Sequence, residues 1–333
     1  MFGKLRYCMQ NKTPKVYLAL YKLVARMRRI KSRERKKSFG KLNGDKCIYV
    51  IRIRKENLGL MGYYMAILGH IKKADSKKYI PVVDMKNYKN TYLKESEVGK
   101  KNAWEYYFCQ PDKVTLDEAY KSKNVVLSDM ETPIEAEPRR FYYEIYQKQN
   151  MDKYYSIALN EMKFNEKTQE KLDEAFNTIM KPIKMDRKKI IGVVSRGTDL
   201  LGFPGHSIQP TTDELIHKTA KYMKEYSCEY VFVASDTDKA IQQFREYFGK
   251  EHVLTNDCKR YDQCGVNGEN VLSEMHFERN EDEYLKGMEY LTTIWLLSKT
   301  DVLFGSLIGS TVSAICMNAG KYEHIEIYDK GVY

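Results

Sequence analysis

Arg196-Gly197-Thr198-Asp199 brings together a guanidinium, a glycine that leaves the backbone open, a hydroxyl and a carboxylate. These are the types that anion chemistry needs. The run before them, Ile190-Ile-Gly-Val-Val-Ser195, reads as a buried strand. In an open parallel sheet ligands bind beyond the carboxyl ends of the strands, and an arginine placed there matches a phosphate with paired hydrogen bonds. Two later segments have the same strand-then-polar form: Tyr230-Val-Phe-Val-Ala234 before Ser235-Asp236-Thr237-Asp238, and Asp301-Val-Leu-Phe304 before Gly305-Ser306-Leu-Ile-Gly309-Ser310-Thr311. The last enters a helix, so amides around Ser310 and Thr311 can donate to phosphate oxygens while the helix dipole favours negative charge. Taken singly, Arg196 is a solvated loop arginine, Ser310 an N-cap and Asp236 the cap of its own helix. Taken together on one edge, they describe a diphosphate site with an arginine clamp.

Those loops need a parallel sheet behind them. From residue 187 onward, strands at 190–195, 230–234, 252–254, 301–304 and 325–328 alternate with helical patterns, including a capping box from Thr211 to Glu214 and helices at 238–248, 283–299 and 311–319. This alternation predicts a doubly wound parallel sheet. Residues 256–282 lack periodicity and read as a mobile loop over the site.

The first half opens as a second Rossmann-like unit: strand Cys47–Ile53, helix Tyr63–Ile71, strand Tyr79–Asp84, and a further strand at Val125–Leu127. Gly59 and Gly62 lie at the strand-to-helix turn, where they either permit the turn or admit a ligand. Their Gly-x-x-Gly spacing is not the dinucleotide fingerprint, so a nicotinamide cofactor is unsupported. Ala103-Trp-Glu-Tyr-Tyr-Phe108 reads as an aromatic core patch, residues 139–180 as helices, and Lys184–Lys189 as a linker after a hinge near Pro182. The expected fold class is therefore α/β, with two facing Rossmann-like domains at 45–186 and 187–333 behind a basic arm at 1–44.

Charge separates the arm from the rest. The chain carries a formal +11, yet residues 1–46 hold 15 Lys and Arg against Glu34 and Asp45, which leaves the remaining 287 residues at −2. Nucleic-acid binding by the globular part loses its main support. Within the arm, Val16, Leu20, Leu23, Met27 and Ile30 form an apolar stripe on a basic helix over 13–30, followed by the cluster Lys31–Lys37. Residues 13–37 are thus a candidate anchor on an anionic membrane surface. No run approaches a membrane span, no signal-peptide layout is present, and seven scattered cysteines without a Cys-x-x-Cys pair fit a reducing compartment. A cytoplasmic protein, peripheral on the inner face of the membrane, is expected. Only Cys258 and Cys264 are close enough in sequence to suggest a functional pair.

The motifs and their order resemble the fucosyltransferase superfamily that includes α-1,6-fucosyltransferases of N-glycan cores and of nodulation factors. Val194-Ser-Arg-Gly-Thr-Asp199 is similar to its first motif, His-x-Arg-(Arg/x)-(Thr/Gly)-Asp; Phe232-Val-Ala-Ser-Asp236 to its second; and Leu303-Phe-Gly-Ser-Leu-Ile-Gly-Ser310 to its serine-rich third. Gly59–Tyr64 and Ala103–Phe108 resemble its N-terminal domain, so the likeness spans roughly residues 45–333. It implies a GT-B-like fold, GDP-fucose held mainly by the C-terminal half, and inverting transfer without a cofactor or essential metal. The implied donor contacts are Gly59, Gly62, Arg196, Asp236, Ser306, Ser310 and Thr311, with Arg196 on the β-phosphate.

The leaving group in such a transfer is a diphosphate, whose growing charge Arg196 and the amides near Ser310 would stabilise. The acceptor is a glycan or lipid-linked glycan, and its hydroxyl needs a base; Asp199 and His206 are the nearest candidates. Val194 stands where the family has histidine, Gly197 where a second arginine can stand, and Thr293 where many relatives carry aspartate. Two alternatives stay open. Asp236-Thr-Asp238 matches the Asp-x-Asp of metal-dependent glycosyltransferases. The other is a non-catalytic nucleotide-sugar binder or membrane-surface scaffold whose basic arm does the work.

Overall fold

The computed structural model of the chain describes residues 33–53, 56–130, 151–198, 207–262 and 272–331. Strands β1 (Arg35–Lys37), β2 (Ile48–Arg52), β3 (Ile80–Asp84) and β4 (Val125–Leu127) form a sheet in the order β1-β4-β2-β3, parallel except for β1. Strands β5 (Lys189–Ser195), β6 (Cys228–Ser235), β7 (Val253–Leu254), β8 (Val302–Ser306) and β9 (His324–Tyr328) form an all-parallel sheet in the order β7-β6-β5-β8-β9. Besides a single turn at Leu116–Ala119, the α-helices of the described residues are α1 (Leu60–Ser76), α2 (Met151–Asn160), α3 (Glu166–Ile179), α4 (Lys181–Met185), α5 (Thr212–Glu225), α6 (Asp238–Phe248), α7 (Asp282–Leu297) and α8 (Gly309–Asn318). The chain is thus an α/β protein with two Rossmann-like sheets.

Strand periodicity explains how the sheets share a core. Successive strand side chains point to opposite faces. On one face of the second sheet Ile191, Val193, Val231, Val233 and Phe304 pack with Leu215, Ile216, Ile241 and Phe244 of α5 and α6. On the other face Ile190, Val194, Phe232 and Leu303 join a cluster that also holds Tyr49, Ile51, Val83 and Val126 of the first sheet. Helices α1, α7 and α8 supply the middle of that cluster. The two halves therefore meet through a continuous apolar layer, and the buried runs on β2, β5 and β8 are what a sheet covered on both faces requires. The aromatic patch belongs to this layer: Trp104, Tyr107 and Phe108 are buried, with Trp104 stacked 4.1 Å from Phe108.

Several expectations change. Arg35–Lys37, expected as part of a basic membrane-binding cluster, form an exposed edge strand antiparallel to β4, where cations block further strand pairing. The helix expected over 13–30 lies outside the described residues. Pro182, expected near a hinge, occupies the first turn of α4, where a missing amide costs little, and the expected linker is helical to Met185. Helix α8 begins at Gly309 with Ile308 as N-cap, so Ser310 sits inside the first turn. Asp236 does not cap α6, because Thr237 does, its hydroxyl accepting from the Ala240 amide at 3.3 Å.

The described parts of 256–282 are also corrected from a mobile loop to a pinned segment. Arg260 donates to Thr255 Oγ1 at 2.7 Å and to the Asn256 carbonyl at 2.9 Å. Arg279 grips Asp282 at 2.7 Å and both oxygens of Glu289 on α7. Irregular backbone held by half-buried guanidinium groups carries no periodic signal, so its order was invisible in the pattern. Residues 263–271, with Cys264, lie outside the described set; burial pushes the Cys258 thiol up to about 11, which keeps it protonated near neutral pH. Among the described residues, no helix is long and apolar enough to cross a membrane.

Candidate active site

The order of the second sheet decides where a ligand can sit. From β5 the chain builds outward through β6 and β7, then returns to the other flank with β8 and β9. The connections after β5 and β8 therefore part from each other, opening a crevice at the carboxyl ends of these two neighbours.

Arg196 follows β5 directly and is held from β6. The register pairs Ser195 with Ser235, so Arg196 and Asp236 are the next residues on adjacent strands. Asp236 Oδ2 lies 3.3 Å from Arg196 Nε and accepts from the Thr198 hydroxyl at 2.5 Å. Its Oδ1 accepts from the Gly197 amide at 2.9 Å. Asp236 is buried, so both oxygens are spent on organising the Arg196 loop. Sequence reasoning placed Asp236 against the ligand; adjacency of β5 and β6 was the signal for the Arg196–Asp236 pair.

The opposite wall is the β8–α8 turn. Gly305 makes the close approach possible, because a Cβ there would lie 2.9 Å from Val194 Cβ and 3.0 Å from Thr311 Oγ1. Ser306 and Thr311 are fully buried, and among the described residues their hydroxyls have no hydrogen-bond partner. Ser310 is paired instead with Tyr290 of α7, hydroxyl to hydroxyl at 2.7 Å. Tyr290 was missed in the sequence because its ring reads as one more apolar position on a helix.

The helix N-termini that follow β6 and β8 differ. That of α6 is filled: the Asp262 carboxylate accepts from the amides of Asp238 and Lys239, both at 3.0 Å. That of α8 has no side-chain cap and no acidic residue in its first turn. It is open to an anion.

The remaining expected residues fall as follows. Gly59 is the N-cap of α1, and a Cβ on it would sit 3.5 Å from the Tyr290 ring, beside the α8 wall. The open side of Gly62 faces Leu58 at 3.4 Å. Asp199 and His206 lie outside the described residues. Thr198 and Ser207, which flank that stretch, are both at this edge, with the Ser207 hydroxyl donating to the Leu307 carbonyl at 2.9 Å. Thr293 bonds Asn256 at 3.0 Å within a buried polar contact. The Asp-x-Asp pair is split, because Asp236 serves Arg196 while Asp238 is exposed and meets Arg260 at 3.0 Å. Among the described residues no group of three or more His, Cys, Asp or Glu could hold a metal ion.

No family model and no curated protein matches the chain. In three dimensions it is similar to a NodZ α-1,6-fucosyltransferase soaked with GDP-fucose, at 12% identity over 82% of this chain and 93% of that one, TM-score 0.48. It is similar to apo POFUT1 at 10% identity over 86% and 98%, TM-score 0.48. A mutant Arabidopsis thaliana FUT1 in complex with GDP gives 12% identity over 86% and 71%, TM-score 0.49.

Proposed function

We propose that the chain is an inverting glycosyltransferase that takes a GDP-sugar, GDP-fucose first, and acts in assembly of a cell-surface glycan. The observation that carries this is the juxtaposition, across one switch-point crevice, of Arg196 and an uncapped helix start with two buried hydroxyls, Ser306 and Thr311, that have no partner among the described residues. A buried hydroxyl without a partner costs about 1–3 kcal/mol, and phosphate oxygens are acceptors that would recover it. The choice of sugar follows the motif resemblance.

In the transfer, the bond from the anomeric carbon to the diphosphate breaks while an acceptor hydroxyl attacks from the opposite face. Charge grows on the diphosphate, where Arg196 and the first-turn amides of α8 supply fixed positive potential without a metal ion. Asp236 acts one step back, holding Arg196. Asp199 and His206 remain the candidates for the base that takes the acceptor proton. The basic residues 13–37 would bring the enzyme to an anionic inner membrane face, which suits a lipid-linked acceptor.

A thermal-shift series with GDP, GDP-fucose, UDP and NADH, each with and without EDTA, tests the donor. A ligand at 100 times its Kd stabilises the fold by about 2.7 kcal/mol. The expected result is a guanine-specific shift that survives EDTA and disappears in Arg196→Ala. A shift confined to UDP with a divalent metal would overturn it in favour of metal-dependent transfer. A flat response with membrane binding lost on deleting residues 1–32 would favour a scaffold.

A further inference from the structure

A second concavity lies where the two halves of the chain meet. This groove, of about 720 Å³, is bounded by residues 92–106 of the first half and by the starts of α3 and α7. Its rings are Tyr92, Tyr106 and Tyr284. Tyr106 stands edge-on to Tyr284 with centroids 6.1 Å apart, and Tyr284 lies parallel to Tyr107 at 5.7 Å. Gly287 lets α7 come this close, since a Cβ there would collide with the Tyr107 hydroxyl at 2.1 Å. The Tyr107 hydroxyl donates to the Tyr284 carbonyl at 2.9 Å, which fixes the ring pair to the helix start.

The charges in the groove are unbalanced. Five carboxylates, those of Glu97, Glu105, Glu166, Glu281 and Glu283, face three lysines. One lysine, Lys101, is already paired with Glu97 at 2.6 Å. A nucleoside diphosphate would be repelled here, so this groove and the donor crevice are selective for opposite ligands. Burial, with the Glu97 carboxylate beside it, raises the Tyr106 hydroxyl well above its ordinary range, so it stays a neutral donor.

The groove also adjoins the donor crevice. Tyr92, 3% exposed, packs edge-on against Tyr63 of α1 with centroids 6.1 Å apart. Gly59 at the start of α1 abuts Tyr290, which bonds Ser310. Tyr92, Tyr63, Gly59 and Tyr290 thus form a chain of neighbours from the groove to Ser310 at the β8–α8 turn.

We propose that this groove is a saccharide subsite for the acceptor, selective for neutral and amine-bearing sugars and closed to acidic ones. It rests on the glycosyltransferase assignment above. Flat ring faces carry the C–H face of a pyranose, carboxylates accept from its hydroxyls, and an ammonium substituent gains a charge-assisted bond.

Saturation-transfer NMR on the full chain tests it, with tetramers of glucose, glucosamine and glucuronic acid and a tetralysine peptide as probes. The glucose tetramer should bind, the glucosamine tetramer at least tenfold more tightly, and the glucuronic acid tetramer not at all. Glu166→Gln with Glu283→Gln should cut the glucosamine preference below threefold and leave the GDP thermal shift unchanged. Tyr284→Ala should abolish saccharide binding, and Tyr284→Phe should retain it if the ring face is what matters. Absence of binding by every saccharide while the GDP shift persists would overturn the groove assignment alone. Tetralysine binding as tightly as the glucosamine tetramer would overturn it in favour of a basic peptide. Saccharide binding without any GDP shift would leave the groove standing and remove the donor site.

Discussion

Both sheets end three adjacent strands in the same residue types. In the first, Arg52 ends the central strand β2, Asp84 ends β3, and Ser128 follows β4. In the second, Arg196 follows the central strand β5, Asp236 follows β6, and Ser306 ends β8. Their environments are opposite. Arg52 is 2% exposed; its guanidinium donates to the Ser128 carbonyl, and its backbone amide donates to Ser128 Oγ at 2.8 Å. Asp84 is spent on the amides of Lys86 and Asn87 and on the Tyr120 hydroxyl at 2.6 Å. In the second sheet the aspartate props the arginine, and among the described residues the serine hydroxyl has no partner. One triplet closes its own loops, whereas the other holds its cation ready and leaves acceptor-seeking groups beside it. Residue type and strand position are therefore insufficient to mark a site; the disposition of the hydrogen bonds decides.

The sharpest way to break this comparison is to truncate both arginines. Arg196→Ala is expected to weaken GDP binding by at least tenfold, about 1.4 kcal/mol or more, while chemical unfolding shows stability within about 0.5 kcal/mol of the parent. Arg52→Ala should do the reverse, losing about 3 kcal/mol of stability through a buried charged hydrogen bond and a cavity, with the GDP affinity of the folded protein unchanged. Equal effects of the two on GDP affinity would erase the distinction.

A smaller effect is expected for Asp236→Asn. The amide keeps an acceptor for the Gly197 amide or the Thr198 hydroxyl but removes the charge beside Arg196. GDP affinity measured by calorimetry should fall about tenfold, or ~1.4 kcal/mol. Tighter binding on neutralisation would mean that Asp236 opposes the phosphate rather than positioning its partner. Tyr290→Phe, which frees the Ser310 hydroxyl, should change GDP affinity by less than about threefold, ~0.7 kcal/mol.

How far the sequence carried depends on what each residue answers to. Strands at 190–195 and 230–234, and the capping box that starts α5, were legible because periodicity and caps are local. The Arg196–Asp236 pair was within reach once β5 and β6 were taken as neighbours. The ordered 256–262 and 272–282 segments were not, because Arg260 and Arg279 bind carbonyls and carboxylates that no periodic pattern encodes. Nor was the groove, whose rings come from residues 92–106 and 284, far apart in sequence and joined only by packing of α7 against the first half.

The smallest expected effect is electrostatic and lies on α5. Glu214 is brought down to about 2 by the hydrogen bond from Lys330 and then by the Thr211 amide of its capping box. A depressed carboxylate contributes stability that is complete above its unfolded value, about 4.3, and lost as pH falls toward 2. Urea midpoints from pH 6 down to 2.5 should therefore decline less steeply in Glu214→Gln than in the parent. Parallel declines would show that the Lys330 contact is not held in solution.

The most direct measurement is the position of GDP in a crystal of the complex grown with EDTA. The β-phosphate is expected within hydrogen-bond distance of Arg196 and of first-turn amides of α8, with Ser306 or Thr311 now partnered. Phosphates bound at the first sheet, at the Arg52 end, or seen only when a divalent metal is added, would contradict the account.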